Sequence, residues 1–141
     1  STPLYSSAAS DVYKRQYQNW APAWFKKLFR NELERLLPDP IIQHDGPSTT
    51  QVTVLEQNQE NRKIVHVLHY VPVKKCKNLE IVEDVIPLYN LKITMNEERK
   101  VRDIYTVPDR QKIVYEQNGS ELDFTVKEVN GHQMIAICYE N

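Results

Sequence analysis

The feature that most constrains this chain is a change of hydrophobic period at Pro40. Before it, APAWFKKLFRNELERLL places Trp24, Phe25, Leu28, Phe29, Leu33, Leu36 and Leu37 at helical offsets on one stripe. Pro22 suits the first turn of such a helix, and LPDP (Leu37 to Pro40) stops it, because proline cannot continue a helix. After it, the period is two. Val52 and Val54 alternate with Gln51 and Thr53, and Leu91, Ile93 and Met95 with Lys92, Thr94 and Asn96. Leu122, Phe124 and Val126 alternate with Glu121, Asp123 and Thr125, the pattern of strands with one buried face.

Turn signals punctuate these strands. Asn118-Gly119, between KIVYE and ELDFTV, predicts a tight hairpin, and Gly46 and Gly131 mark further turns. Short strands at roughly 8–12-residue spacing predict a mainly β fold: an antiparallel sandwich of about eight strands, preceded by one amphipathic helix. The expected organisation is a helical segment over 17–38, closing a preceding domain, and a sandwich over 39–141.

Residues 1–16 stand outside this scheme. STPLYSSAASDVYKRQ has neither an export-signal core nor any regular period. DVYKRQ back-translates to gat-gtg-tat-aag-aga-cag, which resembles the adapter of transposase-based sequencing libraries. Residues 1–16 are therefore expected to be translated adapter and spurious upstream sequence, with a disordered basic tail as the alternative. On that expectation the natural chain begins before residue 17 and is the end of something longer.

Charge excludes several functions. A net charge of −1 over 141 residues gives no pull toward nucleic acid or anionic lipid. No apolar run approaches the ~20 residues of a membrane-spanning helix. Neither nucleic acid nor membrane is an expected partner. Cys76 and Cys138 lack CxxC spacing and are expected to be two half-buried thiols.

VHVLHYVPVKKC (Val65 to Cys76) raises the question of a metal site. Its β-branched run predicts a strand, where His66 shares a face with Ile64 and Leu68, and His69 the other with Val65 and Val67. Histidines facing apart cannot share an ion, so no metal ligand is assigned. Both faces are apolar, which predicts cover on both sides. Glu83 and Asp84, with Glu80 nearby, are read as a strand edge or as ion-pair partners of Lys74, Lys75 or Lys77, rather than an acid/base pair. His132 follows a turn, but no GxSxG elbow or protease cysteine accompanies it, and a structural role is expected. Asn118-Gly119-Ser120 matches a glycosylation sequon. Tyr70, Tyr89, Tyr105, Tyr115 and Tyr139 are the aromatics open to a sugar-binding role, though strand tyrosines usually pack. No catalytic, cofactor-binding or metal residue is therefore assigned, and no cofactor is expected.

LERLLPDPII, VHVLHYVPVKKC, IVEDVIPLYNLKI and FTVKEVNGHQMIAI together resemble the C-terminal end of large bacterial glycoside hydrolases. These are the relatives of the β-galactosidase trimerisation-domain enzymes, including the "hypothetical glycosyl hydrolase 6" group. The resemblance covers residues ~20 to 141. It implies a parent with a (β/α)-barrel catalytic domain, then a trimerisation domain, then a small antiparallel β domain. Trp24 to Leu37 would be the last helix of the middle domain, Leu68 to Pro72 a strand-ending signature, and Ile86 to Leu88 and Val129 to Gln133 later turns. Lys74 and Lys75 stand where the family pattern has paired arginines. The catalytic carboxylates belong to the barrel, so none falls on this chain. The implied partners are that barrel and trimerisation domain, together with further copies in a homo-oligomer. The implied location is the bacterial cytoplasm, with export left open. A free-standing carbohydrate-binding or protein-interaction sandwich is the alternative.

Overall fold

The computed structural model describes residues 23–76 and 79–140. The adapter reading of residues 1–16, Trp20, the first-turn role of Pro22 and Lys77 lie outside the described residues. The chain divides into two compact units, Ser1–Asp39 and Pro40–Asn141.

In the first unit, helix α1 (Ala23–Leu36) ends where the sequence predicts. Leu37 makes the last helical amide bond, to the Leu33 carbonyl, and Pro38 has no N–H with which to continue. Ion pairs Arg30–Glu34 and Arg35–Glu32 decorate its polar side at helical spacing. The apolar stripe is exposed: Trp24, Leu28, Phe29, Leu33 and Leu36 all face outward.

The second unit is a two-sheet antiparallel sandwich. Its strands are β1 (Ile42–His44), β2 (Thr50–Gln57), β3 (Arg62–His69), β4 (Val73–Cys76), β5 (Leu79–Ile81), β6 (Leu88–Asn96), β7 (Val101–Val107), β8 (Tyr115–Asn118), β9 (Glu121–Val129) and β10 (His132–Tyr139). One sheet runs β1-β6-β9-β8 and the other β2-β3-β10-β7. These make the eight strands expected of the sandwich. β4 and β5 form a separate hairpin.

The predicted alternation is the core. Leu91, Ile93 and Met95 of β6 and Leu122, Phe124 and Val126 of β9 meet Val65 and Val67 of β3 and Ile135 and Ile137 of β10. Each such side chain stabilises the fold by about 1.5–3 kcal/mol relative to exposure. Lys92, Thr125 and Lys127, out of phase with them, point away from the core.

The hairpin after β8 departs by one residue from the sequence expectation. Asn118 pairs with Glu121, so the two loop residues are Gly119 and Ser120. Gly119 alone of these has positive φ, at 64°. That is the type II′ pattern, which puts glycine first, whereas an Asn-Gly type I′ turn needs positive φ at both. The second tight connection, Asn130-Gly131, carries the chain from one sheet to the other. Gly131 has φ of 74°, and a Cβ there would stand 2.9 Å from the Tyr70 hydroxyl oxygen. Only glycine fits.

Candidate functional site

β3 behaves as its sequence requires on one face and differs on the other. Val65, Val67 and His69 are buried toward the core, while His66 and Leu68 on the opposite face are half-buried. The two histidines do face apart. Cover over the second face is partial: Ile64 is buried, but Leu55 on neighbouring β2 is exposed. His69 is a packed structural residue, with its Nδ1 3.3 Å from the Thr49 hydroxyl and its amide donating to the Gly131 carbonyl.

His66 has a different partner. Its Nδ1 lies 3.1 Å from Nε2 of His132. The β3–β10 register sets this contact by placing His66 opposite Met134 and Leu68 opposite His132, so the two imidazoles are diagonal neighbours on one face. No sequence signal links residues 66 positions apart; only the strand pairing does.

The most connected polar cluster was also unmarked in the sequence. Glu97 sits in the turn between β6 and β7 and is 3% exposed. Its carboxylate accepts from Lys63 Nζ (2.6 Å), the Tyr139 hydroxyl (2.6 Å) and the Arg99 amide (3.0 Å). The Arg99 guanidinium lies 3.7 Å over the Tyr139 ring and pairs with Glu56. Gln117 closes the network, its amide nitrogen donating to the Glu97 and Arg99 carbonyls and its oxygen accepting from the Val101 amide. Burial by itself would raise the Glu97 pKa, but the Lys63, Tyr139 and Arg99 donors more than offset it and hold the carboxyl below its ordinary value. Burial first, and then Glu97, push the Tyr139 phenol well above its ordinary value. A general acid needs the opposite shift, a carboxyl raised toward neutral pH. This cluster stays ionised and saturated with donors, which suits it to fixing the β6–β7 turn.

The acidic stretch lies outside any strand. Glu83 and Asp84 occupy the loop after β5, and Glu83 pairs with Lys75, one of the lysines expected for it. That loop and the β4–β5 hairpin expose Val73, Leu79, Val82, Val85 and Ile86. Cys76 is exposed and Cys138 buried, in place of two half-buried thiols; the Cys138 thiol lies 3.7 Å from the Tyr105 hydroxyl.

Among the described residues the tyrosines form no exposed row on one sheet face. Tyr139 is buried, Tyr115 donates to the Val101 carbonyl, Tyr105 meets Cys138, and Tyr70 packs on Gly131, leaving Tyr89 the most open. A cleft of about 780 Å³ opens beside Asp109, Lys112, Glu128, Asn130 and His132, with no Phe, Tyr or Trp among its described lining residues. Asn118 of the sequon is exposed at the end of β8. No helix among the described residues is long and apolar enough to cross a membrane.

Comparison with protein-family models finds no match, and comparison with curated proteins finds none either. Solved structures do match. The chain superposes on an alpha-L-fucosidase, isoenzyme 2 from Paenibacillus thiaminolyticus, with a TM-score of 0.82 and 28% sequence identity. The likeness is to one part of a glycoside hydrolase. It covers 89% of this chain but only 19% of the fucosidase chain.

Proposed function

We propose that this chain is the non-catalytic C-terminal accessory domain of a bacterial glycoside hydrolase, with a bracing role toward the catalytic and assembly domains. The observation that carries the reading is the fucosidase likeness: most of this chain matches about a fifth of a much longer hydrolase. The bracing role is supported by apolar surface. The β4–β5 hairpin and the 82–86 loop present a run of exposed aliphatic side chains, and the α1 stripe exposes Trp24 and Phe29. Surfaces of this kind mark interfaces. Residues of a catalytic barrel and a trimerisation domain of the same parent chain are the partners proposed for them.

The chemistry within the sandwich supports a non-catalytic reading. Glycoside hydrolysis uses two carboxyl groups, one of them in its acid form. The buried carboxylate here, Glu97, is held ionised by three donors. The test is turnover of aryl α-L-fucosides and aryl β-D-galactosides by the purified chain. No hydrolysis above background is expected, and hydrolysis that tracks the folded protein would overturn the reading.

A further inference from the structure

The outer face of the β2-β3-β10-β7 sheet carries a group that the accessory role does not use. From it we infer that His66 and His132 form a surface site for a divalent late transition metal, copper foremost. The facing nitrogens, His66 Nδ1 and His132 Nε2, are 3.1 Å apart. Two imidazoles bound at right angles to one ion, at about 2.0–2.1 Å each, stand about 3 Å apart. The ring planes are parallel within 5° and their centroids 5.3 Å apart. With the nitrogens so close, that separation requires the rings to meet edge to edge rather than face to face. The two lone pairs then lie almost on one line, and turning both rings about 45° off that line, His132 being exposed and His66 half-buried, aims them at one point.

The surroundings suit a soft or borderline cation. Among the described residues, neither ring has a carboxylate or a cationic side chain as its hydrogen-bond partner. Met134, half-buried, stands directly opposite His66 in the register and on the same face, a position for a thioether to act as a weak further ligand. Imidazole suits copper, nickel and zinc, and copper heads the affinity order. Binding needs both facing nitrogens free of hydrogen. The tautomer that binds carries its N–H on the far nitrogen of each ring.

The test is titration of the full chain carrying Cys76→Ser, which removes the exposed thiol, with Cu²⁺ at pH 7.5, followed by calorimetry and by electron paramagnetic resonance. The expected result is one equivalent bound with hyperfine coupling to two nitrogens. His66→Ala and His132→Ala should each lower the affinity by at least about tenfold, the loss that even an outer-shell partner brings. His44→Ala should leave it unchanged. Circular dichroism verifies that each variant is folded. Equal binding by the parent, His66→Ala and His132→Ala, or no stoichiometric binding by the parent, overturns the site. Neither result bears on whether the chain hydrolyses glycosides.

Discussion

Glu97→Ala is the substitution whose cost the structure fixes most closely. The carboxylate is 3% exposed, and its removal strands the Lys63 ammonium, 19% exposed at its side chain, and the buried Tyr139 hydroxyl. Removing one partner of a buried ion pair costs about 3–5 kcal/mol, because the remaining charge is left without compensation. At about 4 °C per kcal/mol for a unit of this size, the melting midpoint should fall by about 12 °C or more. Glu97→Gln keeps one acceptor oxygen and should cost about 1–3 kcal/mol. Adding Lys63→Met to Glu97→Ala removes the stranded charge, so the double variant should be more stable than Glu97→Ala alone. Urea unfolding followed by circular dichroism and the fluorescence of the sandwich tyrosines measures all three. A Glu97→Ala cost below about 1 kcal/mol, of the order of an ordinary exposed pair, would refute the reasoning: Lys63 would then simply return to water, and the network would not hold the turn.

Four further outcomes follow from the structure. The lowered Glu97 pKa gives stability that is present above the unfolded carboxyl value of about 4.3 and lost as pH falls through the folded value. The stability gap between the parent and Glu97→Gln should therefore close in acid, and a gap that stays constant to pH 3 would contradict this. The raised Tyr139 pKa works at the other end: its contribution is present below about pH 10 and fades above it, so Tyr139→Phe should flatten the alkaline loss of stability. Gly131→Ala should destabilise by about 1–3 kcal/mol through positive φ and the clash with Tyr70, and Tyr70→Ala should recover only the clash. Val73→Ser with Ile86→Ser should leave the melting midpoint nearly unchanged, since both are exposed, but reduce binding of an apolar dye; an unchanged dye signal would show that the hairpin is not the sticky surface.

What the sequence made legible was local. The period of two at Leu91–Met95 and Leu122–Val126 named core residues correctly, because side chains on a strand must alternate. LPDP stopped α1 for the reason proline always does. The facing-apart geometry of His66 and His69 also followed from strand period alone. What depended on pairing could not be read. His66 and His132 meet only because β3 lies beside β10 in one particular register. Glu97, in the polar run NEERK, reads as a solvated turn; it is buried because β6, β3 and β10 bring Lys63 and Tyr139 to it. The one-residue shift at Gly119 has the same origin, since strand register overrode the preference of the Asn-Gly pair. Of the two readings open for Glu83 and Asp84, the ion pair holds for Glu83, which meets Lys75, while the strand edge does not, since β5 ends at Ile81 and both lie in the loop before Pro87.

The existence of a parent enzyme is tested most directly by the DNA upstream of the Tyr17 codon in the source sample. Long-read sequencing across that point should reveal, in frame, a (β/α)-barrel carrying the two carboxylates of a glycoside hydrolase. An in-frame domain of an unrelated class, or a stop codon followed by a start codon just before Tyr17, would contradict the account.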